Sequence, residues 1–205
     1  MSGADVIIID SGGANLASLV YALDRLGARS AVSSDPAVIR SAPRVLLPGV
    51  GAARDAMDRL CGAGLVDCIR SLTQPLLGIC LGMQLLFDHS EEGDTPCLGV
   101  LPGRVQRLHA AAGLPVPHMG WNTFTATGAA DPLLAGLGER DYSYFVHSYA
   151  VPVGECTTAA TEYGTRFSAV VRRGNVHGAQ FHPERSAAAG ARLLSNFLLV
   201  PVPVP

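Results

Sequence analysis

The chain has 205 residues, 48% of them hydrophobic and 16% charged, with a formal net charge of −2. That length accommodates one domain with a substantial core, and the composition excludes a disordered chain. The charge balance offers no basic face to nucleic acid or to an anionic membrane, which leaves small molecules and proteins as ligands.

Residues Met1 to Asp5 carry neither a basic stretch nor a cleavage-like site, so a cytoplasmic location is expected. Val6-Ile7-Ile8-Ile9-Asp10 is a continuous β-branched run ending in Ser11-Gly12-Gly13, which predicts a buried parallel strand feeding a loop. Leu16, Leu19, Val20, Leu23 and Leu26 then recur at helical spacing, with Asn15 suited to the helix start and Gly27 to its end. Arg44 to Pro48 repeats the strand signal ahead of Gly49-Val50-Gly51, and a helical stretch follows through Met57 and Leu60. Pro75 to Ile79 is apolar enough for a third buried strand, and Met83 to Phe87 reads as a helix start. Cys80 stands between them.

From about Leu98 the period shifts toward two, predicting short strands over residues 98–101, 105–108, 122–125, 144–149, 167–171 and 175–181. An apolar helix over 189–199 closes the fold, and 201–205, alternating Pro and Val, reads as a frayed tail. No repeat or linker divides the chain, so residues 1–200 are expected to form a single α/β domain: a central mixed, mostly parallel sheet flanked by helices. No segment approaches 18 uninterrupted apolar residues, so no membrane span is expected.

Chemistry concentrates at Gly78-Ile79-Cys80-Leu81-Gly82 and His182-Pro183-Glu184. Small residues beside a nucleophile permit a tight strand-to-helix elbow, and a helix starting just after the thiol aims N–H groups at the sulfur. His182 suits a general base and Glu184 a group that fixes the imidazole tautomer. On an extended strand, residues two apart share a face, which would bring His182 and Glu184 together. Gly49-Val50-Gly51 also follows a predicted strand, where open α/β sheets gather their ligand sites. Its backbone N–H groups, with that of Leu81, are candidates for an oxyanion hole. No third glycine or lysine makes this a nucleotide fingerprint. Cys61, Cys68, Cys97 and Cys156 form neither a disulfide framework nor a Cys-x-x-Cys pair and read as structural thiols. No metal-ligand spacing appears and no cofactor is expected.

These residues resemble the triad, or class I, glutamine amidotransferases, whose fold is flavodoxin-like. Within them the resemblance is to the glutaminase subunits of imidazole glycerol phosphate synthase, carried by Leu47-Pro48-Gly49-Val50-Gly51, His118-Met119-Gly120-Trp121-Asn122, Tyr144 to Tyr149 and Phe181 to Ser186. The resemblance implies that Cys80 attacks the glutamine side-chain amide to form a glutamyl thioester, with His182 as acid and base and Glu184 orienting it. It implies oxyanion donors at Val50 and Leu81, and glutamine held by Gly49, Gly51, Gln84, Ser148 and Tyr149. It further implies a partner, a (β/α)8-barrel cyclase subunit that receives the ammonia for histidine biosynthesis, docked near Asn15, Met119, Trp121 and Tyr144. His147 is given no catalytic role. Ser11 where the family has tyrosine, Ala53 for phenylalanine and Arg185 for lysine depart from its pattern and bear on docking. Three rivals remain open: a glutaminase of the anthranilate, aminodeoxychorismate, guanylate or cytidylate type, a catalytically silent regulatory subunit, and a stand-alone γ-glutamyl hydrolase.

Overall fold

The computed structural model describes residues 3–12, 16–111, 113–128 and 130–202. The chain opens with β1 (Val6–Ile9), α1 (Leu16–Arg25), β2 (Ser30–Ser33), α2 (Pro36–Arg40), β3 (Val45–Gly49), α3 (Ala53–Gly62), α4 (Val66–Arg70), β4 (Leu76–Cys80) and α5 (Leu81–Leu85). Short strands follow: β5 (His89–Ser90), β6 (Thr95–Pro96), β7 (Arg104–Arg107), β8 (His118–Asn122), β9 (Thr125–Ala126), β10 (Ser143–His147) and β11 (Tyr149–Ala150). The long hairpin of β12 (Thr157–Tyr163) and β13 (Thr165–Arg173), then β14 (Val176–Ala179) and α6 (Ala187–Leu199), complete it.

The central sheet runs β2-β1-β3-β4-β14-β13-β12-β9. Its first five strands are mutually parallel and the rest antiparallel. Continuous apolar runs make β1, β3 and β4, because these strands are covered on both faces, while the edge strand β2 is half-exposed. β1 shows the division: Ile7 and Ile9 pack with Ile39, Met57, Leu60 and Ile69, while Val6 and Ile8 pack with Leu19, Leu23, Leu193 and Phe197. α2 to α5 therefore cover one face and α1 with α6 the other. β10 pairs with β8 as a separate ribbon, and β11, β7, β5 and β6 form a small second sheet.

Several expectations are corrected. Residues 98–101 are not a strand: the N–H groups of Leu98, Gly99, Val100 and Leu101 donate to the carbonyls of Leu85, Phe87 and Leu86, capping the end of α5. The expected strand at 122–125 is split, with β8 ending at Asn122 and β9 starting at Thr125. The strand at 144–149 breaks at Ser148, because β10 pairs with β8 and β11 with β7. β2, α2, α4, β5, β6 and β12 went unforeseen. Asn15, with its expected helix-start role, and the tail from residue 203 onward lie outside the described residues.

Candidate active site

Cys80 ends β4 and begins α5 in the left-handed region, at φ 53° and ψ −113°. A side chain held there is strained, and strain of this kind persists only where the surroundings impose it. They do so at Gly82, where an added Cβ would lie 1.8 Å from the Leu47 carbonyl oxygen. The first turn of α5 thus sits directly on the backbone of β3, and the chain must turn sharply at Cys80 to reach it.

His182 arrives from the neighbouring strand by a different local structure from the one expected. β14 ends at Ala179, and residues Pro183–Arg185 form a 3-10 turn. That turn folds Glu184 back, placing its Oε1 2.8 Å from His182 Nδ1. The backbone of His182 is fixed in turn: its N–H donates to Tyr144 O at 3.0 Å, and Ser186 Oγ donates to its carbonyl at 2.7 Å. Ser186 Oγ also accepts from the Tyr144 N–H at 2.9 Å, tying the turn to β10. Burial alone would depress His182, but hydrogen bonds to Cys80 and Glu184 and the charges of both outweigh it and raise the imidazole to about 10. The proton therefore rests on His182 at neutral pH, between the sulfur and the carboxylate.

A cavity of about 300 Å³ opens above the sulfur, lined among others by Val50, Gly51, Leu81, Ser148, Tyr149 and His182. Gln84 lines it too, but its amide donates to Tyr149 O at 2.7 Å and Gln180 Oε1 at 3.0 Å, so this side chain buttresses the wall. Gly49 lies beside a smaller neighbouring cavity with Glu184 and Arg185.

Sequence reasoning missed Glu92, whose half-buried side chain also lines the Cys80 cavity. No spacing from Cys80 marks it; the turn that carries it is brought to the site by α3. Ala53 N–H donates to Glu92 Oε2 at 2.8 Å, and the Arg54 guanidinium donates to Gly93 O.

Behind the cavity, His118 and His147 form a buried pair. His147 Nδ1 lies 2.9 Å from Tyr149 O, an acceptor, so it carries the hydrogen. Burial pushes His147 down to about 3 and His118 to about 4, so both rings are neutral. His147 Nε2 must then accept from His118 Nδ1 at 3.1 Å, and His118 Nε2 from Asn122 Nδ2 at 3.4 Å. Stacking against Tyr163, with centroids 4.0 Å apart, and Phe145 holds the His118 ring in place.

On the outer face of the β8–β10 ribbon, Met119 and Trp121 are 66% and 53% exposed. Trp121 meets Tyr144 edge-on, and Arg185 stacks over Tyr144 at 4.9 Å. Among the described residues no group of three or more metal-ligating side chains is assembled, and no helix is long and apolar enough to cross a membrane.

An elbow cysteine paired with a buried imidazole and carboxylate, on a sheet of this order, defines a class of protein. Residues 7–200 match the model of the glutamine amidotransferase class-I family, and the chain belongs to that family. It is 57% identical over 199 residues, 97% of this chain and 99% of the relative, to imidazole glycerol phosphate synthase subunit HisH of Xanthomonas euvesicatoria. The subunit of the same name from Xylella fastidiosa strain Temecula1 is 56% identical over 194 residues, covering 95% and 96%. Among solved structures, a glutamine amidotransferase superposes with a TM-score of 0.73 at 22% identity, over 94% of this chain and 96% of the other. PurLQS from Thermotoga maritima gives 0.69 at 19% identity, covering 94% and 96%. At these identities the two structures speak for the fold.

Proposed function

We propose that this protein is the glutaminase subunit of an imidazole glycerol phosphate synthase. The observation that carries the activity is Cys80, held at a positive φ beneath a cavity with the His182–Glu184 pair beside it. The near-complete likeness to the HisH relatives supports the particular pathway.

The sulfur adds to the carboxamide carbon of glutamine, and the carbonyl oxygen takes the negative charge. Amide N–H groups of Val50 and Leu81 stabilise that oxyanion, each donor contributing about 3 to 4 kcal/mol. His182 passes its proton to the nitrogen, the C–N bond breaks, and ammonia leaves a glutamyl thioester. Water then attacks the thioester, giving its proton to His182, and the C–S bond breaks to release glutamate. Glu184 holds the ring with Nδ1 protonated throughout, so that Nε2 is the atom that exchanges protons. At the other end of the substrate, Glu92 faces the α-ammonium, and the backbone of Ser148 and Tyr149 with that of Gly51 holds the carboxylate.

Ammonia released into bulk water at neutral pH takes a proton and ceases to be a nucleophile. A sealed passage to a (β/α)8-barrel cyclase subunit answers that need, and Met119, Trp121 and Tyr144 form the apolar surface suited to docking it. The test is Cys80→Ala assayed in complex with that subunit. Glutamine-dependent synthesis falls to background while ammonia-dependent synthesis persists; loss of both would overturn the nucleophile assignment.

A further inference from the structure

Helix α3 starts immediately after the Gly49-Val50-Gly51 loop, and its own N-cap position cannot satisfy it. The N-cap is Ala52, in an extended conformation and with no side chain able to accept a hydrogen bond. A helix start normally finds such an acceptor on Ser, Thr, Asp or Asn one residue before its first turn. Here the acceptor comes from far along the chain: Glu92 Oε2 accepts from Ala53 N–H at 2.8 Å. The negative carboxylate also suits the positive end of the helix dipole. The turn that carries it is held from the same helix by Arg54, which donates to Gly93 O and, at 3.3 Å, to Asp94 O. Its own geometry is fixed locally, since Thr95 Oγ1 donates to Glu92 O at 2.7 Å and Glu92 N–H donates to Ser90 Oγ at 3.2 Å. The other carboxylate oxygen takes no hydrogen bond from the described residues, and the side chain lines the Cys80 cavity.

We infer that Glu92 is a positioning residue for the oxyanion donor as well as a wall of the substrate cavity. Val50 lies between two anchors. On one side β3 pairs Gly49 with Cys80 in the sheet. On the other, Ala52 runs into an α3 start whose first free N–H is held by Glu92. Gly51, at φ +88°, lets the loop swing between them, so the second anchor decides where the Val50 amide points. A substrate ammonium drawn to the free oxygen of the carboxylate bears on the same side chain, which links occupancy of the cavity to the setting of the loop.

This inference rests on the glutaminase reading, and steady-state glutamine hydrolysis by the complex with the barrel subunit separates the two. Glu92→Ala removes both the cap and the charge, so KM rises and kcat falls by about tenfold, part of the roughly 10² to 10³ lost when an oxyanion donor is removed outright. Glu92→Gln keeps an oxygen that can accept from Ala53 N–H but loses the charge, so it restores most of kcat while KM stays high. Equal kcat in the two variants, whether near wild type or equally depressed, would overturn the positioning role. Absence of glutamine turnover in the wild-type complex would overturn the glutaminase reading and this inference together. Co-elution of each variant with the barrel subunit, and a melting curve of the free chain, show that it is folded and docked.

Discussion

Gly82 explains why Cys80 stands where it does. Its missing side chain lets α5 rest on the Leu47 carbonyl, and that contact forces Cys80 into a conformation few side chains adopt. Gly82→Ala therefore does more than crowd a turn: either the helix lifts off β3 or the elbow relaxes. A stability loss of about 3 kcal/mol or more is expected, read as a fall in the denaturant midpoint at unchanged slope. A variant as stable as wild type would mean that the close approach is not what imposes the elbow. At this scale the sequence was highly legible, because a glycine-flanked cysteine after an apolar run has a direct steric meaning. Glu92 was not, since its role depends on which helix start happens to lie opposite it.

Among elements, the ribbon of β8 and β10 carries two buried histidines and β14 a third, His177, and their chemistry makes a pH prediction. Burial holds His118 and His177 at about 4 and His147 at about 3, below the unfolded value near 6.5. Groups depressed in this way contribute stability that is whole above pH 6.5 and disappears as the pH falls toward their folded values, at up to about 1.4 kcal/mol per pH unit for each. His182 acts oppositely: raised to about 10, it contributes below pH 6.5 and loses that contribution as the pH rises through 10. The unfolding temperature should thus drop steeply between pH 6.5 and 4. His177→Leu should flatten that slope by removing one of these groups, and among the described residues neither ring nitrogen of His177 has a hydrogen bond to lose. An acid slope unchanged by that substitution would remove His177 from the account. The parallel strands β1, β3 and β4 were readable as continuous apolar runs, whereas the half-exposed edge strand β2 was not. β10 and β11 were not separable, because the break at Ser148 comes from two different partner strands and not from any residue in the run.

For the whole molecule, the exposed face around Trp121 separates folding from assembly. Trp121 and Met119 project from the outer side of a two-stranded ribbon whose inner side packs Phe145, His118 and His147 on the core, so their removal costs the isolated chain little. Trp121→Ala is expected to weaken binding of the barrel subunit by about 2 kcal/mol, roughly 30-fold in Kd, as a buried aromatic anchor at an interface does. The unfolding temperature of the free chain should move by no more than about 2 °C. Titration calorimetry with the barrel subunit, beside a melting curve of the free chain, checks both. Unchanged affinity would move the docking surface elsewhere.

The strand order has a temporal consequence. β14, the last strand made, lies between β4 and β13, and His182 follows soon after it, while Cys80 and the Gly49-Val50-Gly51 loop belong to strands laid down much earlier. Chains are made from the amino terminus and fold as they emerge. A nascent chain therefore carries the Cys80 thiol without the His182 imidazole and the Glu184 carboxylate until synthesis is nearly complete.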